Sequence, residues 1–206
     1  MLASASPARR ALLHRAGVNP EVIVSAVDED ELSAALGPVS TSKLVSSLAE
    51  AKARDVAGQL DSGNGPAIVV GCDSMLDIDG VAMGKPGSAV AAIARWKLMR
   101  GRSGTLMTGH CVIDVGTGAT ISALASTTVH FAQLSDDDIE LYCSTGEPDQ
   151  VAGAFTVDGL GGWFIDAIAG DHHNVVGLSL PLLRRVLAEL GYGLPEIGFG
   201  RAATEG

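Results

Sequence analysis

Aromatic residues make up only 4% of the 206 residues, and cysteine occurs three times. No apolar stretch approaches the roughly 20 residues that cross a bilayer. Basic residues are scarce as well: 14 Lys and Arg stand against 24 Asp and Glu, for a formal net charge of −10. Each shortage excludes something. An acidic chain has no electrostatic footprint for nucleic acid, so a nucleic-acid partner is not expected. A phosphate-rich ligand must then be met by a local group of cations or by metal ions. Without an apolar span or a basic, apolar leader, neither membrane residence nor export is expected, which points to the cytoplasm. Cys72, Cys111 and Cys143 are scattered and lack C-x-x-C spacing, so they read as reduced and structural. The common catalytic signatures are missing too: no G-x-S-x-G, no G-x-G-x-x-G after a strand, no H-E-x-x-H. His14, His110, His130 and the pair His172-His173 have no partner at metal-ligand spacing and read as structural. What remains is 47% apolar and 18% charged residues, the balance of a globular chain long enough for one large domain or two lobes around a shared core.

The stretch richest in chemistry is Ile68-Val69-Val70-Gly71-Cys72-Asp73-Ser74. An apolar run meeting Gly and an acid predicts a buried strand that delivers Asp73 at its carboxyl end, where open α/β sheets place ligands. A turn at Asp79-Gly80 follows, then Lys85 between Gly84 and Pro86. The same pattern also fits a surface loop with a solvated Asp and Lys. The amino terminus adds a second signal. Ser6 is a good N-cap and Pro7 suits the first helical position. Arg9 and Arg10 are unhelpful to the dipole in a first helical turn, which suggests that their charge serves an anion. Ala3, Ser4 and Ala5 leave room for a ligand against the backbone.

The spacing predicts a helix from Pro7 to near Gly17, a strand over 21–27, a solvated helix start at Asp28-Glu29-Asp30-Glu31 and an amphipathic helix over 41–58. A loop follows at Asp61-Ser62-Gly63-Asn64-Gly65-Pro66. A helix is predicted over 88–99, antiparallel strands at about 105–115 and 119–133, and a Ser135-capped helix through Tyr142. A Gly-rich segment runs from Ala152 to Ile165. Phe155, Trp163 and Phe164 within it read as core rather than as a frame for a base. A last helix covers about 180–190, and the tail from about 191 reads as loose.

Four segments, in order, carry a resemblance: Leu2-Ala3-Ser4-Ala5-Ser6-Pro7-Ala8-Arg9-Arg10; Gly71-Cys72-Asp73-Ser74 with Gly84-Lys85-Pro86; Ala152-Gly153-Ala154-Phe155 with Asp158-Gly159; and Asn174-Val175-Val176-Gly177-Leu178. Together they resemble the Maf family, once named for septum formation, over roughly residues 2–190. The resemblance implies one domain over 1–206 with an α/β fold related to the inosine-triphosphatase-like enzymes: a long mixed sheet flanked by helices, and two lobes about a central cleft. It implies a nucleoside triphosphate pyrophosphatase, dependent on Mg²⁺ or Mn²⁺, with a house-cleaning role; a homodimer is the family's expectation. It places the general-base aspartate on Asp73, the Gly-Lys-Pro lysine on Lys85, the helix-entry arginine on Arg9, a helical lysine on Lys52, and an acid after the second strand on Glu29. Members preferring dTTP or UTP carry Ser-Pro-Arg-Arg, Ala-Asp-Thr and Ile-Gln-Gly. This chain departs from them at Ala8, Ser74 and Asp158, the positions expected to tune base choice.

The chemistry is coherent. Cleaving a phosphoanhydride needs an activated water, neutralised phosphates and cations that fix the triphosphate. Two roles fit Asp73: taking the water's proton, or holding the metal that acidifies it. Glu29 is the second metal candidate, since carboxylate oxygens suit Mg²⁺ or Mn²⁺. Arg9, Arg10, Lys52 and Lys85 would cradle phosphates, with Ser4 and Ser6 donating hydrogen bonds. The rival is a non-catalytic nucleotide sensor that regulates division.

Overall fold

The structure, a computed structural model, describes residues 1–60 and 67–200; the loop expected at 61–66 lies outside the described residues. The chain runs β1 (Leu2–Ala3), α1 (Pro7–Arg15), α2 (Glu29–Leu36), α3 (Thr41–Ala57), β2 (Ile68–Ile78), β3 (Val81–Met83), α4 (Ala89–Met99), β4 (Ser103–Asp114), β5 (Thr120–Phe131), α5 (Asp136–Ser144), β6 (Ile165–Ala169), α6 (His172–Val176) and α7 (Leu180–Glu189), with 3₁₀ turns between α5 and β6. Six strands form one mixed sheet in the order β1-β2-β4-β5-β6, with β3 on β2. Only β1–β2 is parallel; the other named pairs are antiparallel. The mixed α/β sheet flanked by helices is the expected fold class.

Side-chain oxygens start the helices. Ser6, Asp28, Ser40, Ser88, Ser135 and Ser179 each accept from a backbone N–H in the first turn, and Ser135 with Asp138 completes a capping box. The long central strand has a less obvious cause. Asp73 is the sixth of the eleven residues of β2, so it sits mid-strand and not at a carboxyl end. Gly71 does not break the strand; it admits a helix. A Cβ there would lie 2.4 Å from the Ala49 carbonyl oxygen, and one on Gly109 of β4 would lie 2.3 Å from that of Val45. Two glycines on adjacent strands thus let α3 rest directly on the sheet backbone.

Alternation along β2 divides the core. Val69 joins Ala49, Ala53 and Val56 beneath α3. Val70 and Cys72 face α1 and α7 through Leu12, Leu13, Leu183 and Leu187. Leu76 and Ile78 enter a third cluster, built on Trp96, Phe131, Ile139, Tyr142 and Phe155. All three cysteines are buried and free.

Several expectations need correction. Residues 21–27 form no strand, only a parallel bridge from Val22 to Leu2, because β1 offers two residues of partner and no more. Beyond it, side chains take over: the Ala26 N–H donates to Asp55 and that of Val27 to Ser25. Trp163 is 85% exposed rather than core; it follows Gly161 and Gly162 on an outward 3₁₀ turn. Phe164 packs against Trp96 and Tyr142, as a core residue should. The tail over 191–200, expected to be loose, folds back: Tyr192 and Ile197 join the α1–α7 cluster, and the Gly200 N–H donates to the Gly17 carbonyl. The short elements β1, β3 and α6 are below the length at which periodicity registers.

Candidate active site

The edge of β2 is covered at Val70 and Gly71 by β1, and from Leu76 to Ile78 by β3. Between the two, Asp73, Ser74 and Met75 line an open cleft of about 450 Å³. Adjacent strand residues point to opposite faces, so Asp73 and Ser74 each recruit a cation from a different helix.

Asp73 points to α3. Lys52 Nζ lies 2.7 Å from Asp73 Oδ1 and 2.6 Å from Oε1 of Glu29, the first residue of α2. Lys52 and Asp73 are both buried. Burial pushes the Asp73 carboxyl above the ordinary aspartate value; Lys52 and Arg9 pull it down without overcoming that cost. Its other oxygen, Oδ2, is buried without a hydrogen-bond partner. An orphaned carboxylate oxygen is costly in a resting fold and suits an atom that accepts a proton or a cation.

Ser74 points to α1. Arg9 is buried at the start of that helix and is held at three nitrogens. Nε donates to the Gly177 carbonyl at 2.7 Å, Nη1 to Ser4 Oγ at 2.9 Å and Nη2 to Ser74 Oγ at 2.8 Å. Ser74 Oγ in turn lies 2.9 Å from Thr108 Oγ1. Three of the five guanidinium N–H groups are therefore engaged, and the rest of a rigid fork is left for an anion. Gly177 has φ +120°, and a Cβ there would lie 3.2 Å from Arg9 Nε, so the close approach favours glycine.

Ser4, Ser6, Ala8, Arg9, Glu29, Lys52, Asp73, Ser74, Lys85 and Asp158 all line the one cleft. Arg10 does not. A helical step of 100° separates it from Arg9, and it faces solvent. Lys52 bridges two acids rather than standing free, and Ser74 holds Arg9. Asp158, on the far wall, pairs with Arg15 at 3.2 Å in an exposed bridge. Arg15 and Thr108 were missed from sequence, and Gly177 was singled out only as part of a motif, without its role as the carbonyl that holds Arg9. Arg15 sits in the last turn of α1, where a basic residue is already explained by the helix dipole.

The donor set fits a hard divalent cation: two carboxylates on either side of one ammonium, one with an unpartnered buried oxygen. The histidines act elsewhere. Burial lowers the His110 imidazole to about 4. The neutral ring donates from Nδ1 to the Thr108 carbonyl and accepts the Ser179 N–H at Nε2. Asp171, His172 and His173 bring ligand atoms within 4.8 Å of one another, a grouping not foreseen from sequence. Asp171 Oδ1 is already the cap of α6, accepting from the His173 N–H and lying 3.0 Å from His173 Nδ1. None of the three lines the cleft.

A family model described as Maf-like protein matches residues 1–190, which span every element above. The chain belongs to the Maf family. Relatives agree over nearly full length. A protein named nucleoside triphosphate pyrophosphatase from Streptomyces coelicolor is 55% identical over 197 residues, covering 96% of this chain and 93% of its own. Proteins of the same name from Rhodococcus jostii and Salinispora tropica are 54% and 52% identical, covering 96% and 99% of this chain and 94% and 88% of their own. The four segments that suggested Maf are those that meet at the cleft: the α1 entry, β2 with Lys85, the Gly-rich wall, and the turn at Gly177.

Proposed function

We propose that this cleft hydrolyses nucleoside triphosphates between the α and β phosphates, releasing the monophosphate and diphosphate. The observation that carries the reading is the Asp73 carboxylate, with one oxygen on Lys52 and the other buried without a partner, in the same cleft as a rigidly held arginine. The relatives' shared name points the same way.

In this reading Asp73 Oδ2 accepts a proton from the attacking water, while Lys52 fixes Oδ1 and so aims the carboxylate. Arg9 presents its remaining N–H groups to the phosphates, and Lys85 adds charge from the rim. Glu29 and Asp73 would hold Mg²⁺ or Mn²⁺, which would neutralise phosphate charge and acidify water; binding the metal and taking the proton are alternative uses of Asp73 Oδ2. Ala8 and Asp158 would face the base. An ionised Asp only accepts hydrogen bonds, so it favours a base edge that carries N–H donors over the carbonyl edge of uracil or thymine. The substrates are free nucleotides in the cytoplasm, in a house-cleaning role, and the enzyme acts as a homodimer; light scattering in solution tests that last point.

Incubation with a panel of NTPs and Mn²⁺, followed by product identification, tests the proposal. Monophosphate and diphosphate are expected. Orthophosphate as the product, or tight binding without turnover as in a nucleotide sensor, would refute it.

A further inference from the structure

Behind the far wall of the cleft lies a carboxylate that the mechanism does not use. Glu147 opens a 3₁₀ turn (Glu147–Gln150) just after α5. Its Oε1 accepts from Tyr142 Oη at 2.9 Å, Thr156 Oγ1 at 2.6 Å and the Gly161 N–H at 2.9 Å, and its Oε2 accepts from the Leu160 N–H at 2.9 Å. Thr156, Val157 and Asp158 line the cleft, whereas Leu160 and Gly161 do not. The grip points thus fall on both sides of Val157-Asp158-Gly159.

We propose that Glu147 is a positioning residue for nucleobase selection, clamping the Val157–Gly159 wall at both ends so that Asp158 meets the base at a fixed depth. The inference rests on the reading of that wall as base-facing. A second observation supports it. A Cβ on Gly159 would lie 2.6 Å from Glu147 Oε2, and one on Gly161 would lie 2.6 Å from Tyr142 Oη. The segment therefore needs glycine at both places to wrap this closely around the carboxylate. Burial works to raise the Glu147 carboxyl, but the bonds from Thr156, Leu160, Gly161 and Tyr142 prevail and hold it below the usual carboxylate range. It is ionised whenever the enzyme works near neutral pH, and all its partners are donors. A glutamine there presents N–H groups to a donor and cannot satisfy them all.

The test compares Glu147→Gln and Glu147→Asp with Asp158→Gln on the NTP panel, with thermal melts to establish folding. Glu147→Gln is expected to raise KM for the best nucleotide and to compress the kcat/KM ratio between best and worst nucleotides by about tenfold, the factor that one misaligned base-edge hydrogen bond carries. Its kcat is expected to stay within about threefold, because phosphate and water contacts are untouched. Glu147→Asp, which keeps the charge, is expected to recover part of the ratio. A folded Glu147→Gln that keeps the parent's best-to-worst kcat/KM ratio overturns the proposal. If Asp158→Gln shifts the ranking in that case, the clamp alone is wrong; if it does not, the base-facing reading of the wall fails as well. Should Glu147→Gln not fold, Tyr142→Phe removes one donor outside the cleft. A smaller compression in the same direction supports the clamp, and an unchanged ratio overturns it.

Discussion

Side chains at the cleft are held by partners that a sequence cannot display. Arg9 is the clearest. Its place in the first turn of α1 signalled an anion site, but the three acceptors that immobilise it come from residues 5, 65 and 168 positions away. Deleting it removes a charge-assisted phosphate contact worth roughly 1.5–3 kcal/mol. Arg9→Ala should therefore weaken binding of a non-hydrolysable NTP by about ten- to a hundredfold in calorimetry. Arg9→Lys should not restore it, since one ammonium cannot reproduce the fork. Arg10, predicted from the same reasoning, serves as the contrast: Arg10→Ala should bind as the parent does. His110 carries a different prediction. Its native value of about 4 lies below the ordinary 6.5, so as pH falls from 6.5 the unfolded chain takes up a proton that the native fold refuses. That stability is present above about pH 6.5, is lost progressively down to about pH 4 and changes no further below it, amounting to about 3 kcal/mol. Denaturant melts of the parent and His110→Gln across that range should diverge by this amount, the parent losing more.

At the scale of elements, the placement of α3 decides whether Lys52 reaches Asp73. The helix itself was legible, to its Gly58 stop, although its cap is Ser40; so were α1, α4, α5, α7 and the β4–β5 hairpin. Its seat was not. Gly71 read as the end of an apolar run, whereas it and Gly109 are the floor on which α3 lies. A glycine that ends a strand and one that admits a helix look alike until the neighbouring strand is known. Gly109→Ala puts a Cβ within 2.3 Å of the Val45 carbonyl oxygen. It should cost about 1–3 kcal/mol by overpacking and lower kcat disproportionately, because α3 lifts and carries Lys52 with it. A stable, fully active Gly109→Ala would show that α3 tolerates displacement. Short elements escaped for a simpler reason: a two-residue β1 or a three-residue β3 has no period to detect.

Across the whole molecule, the cleft exists because β2 is longer than either of its edge partners. β1 and β3 leave its middle uncovered, and the three buried clusters packed along the sheet hold that gap open. Segments distant in sequence converge there, which is why family motifs spread over some 170 residues act as one site. In a chain of net charge −10, Arg9 and Lys85, with Lys52 behind them, supply the cationic side of the cleft that a polyanion needs. The account stands on the claim that Asp73 performs the chemistry in this gap. The most direct measurement is the rate of diphosphate release at saturating NTP and Mn²⁺ by the parent and by Asp73→Asn, with both shown to be folded. The account predicts diphosphate release by the parent and a kcat at least about a hundredfold lower in the variant; near-equal kcat values would contradict it.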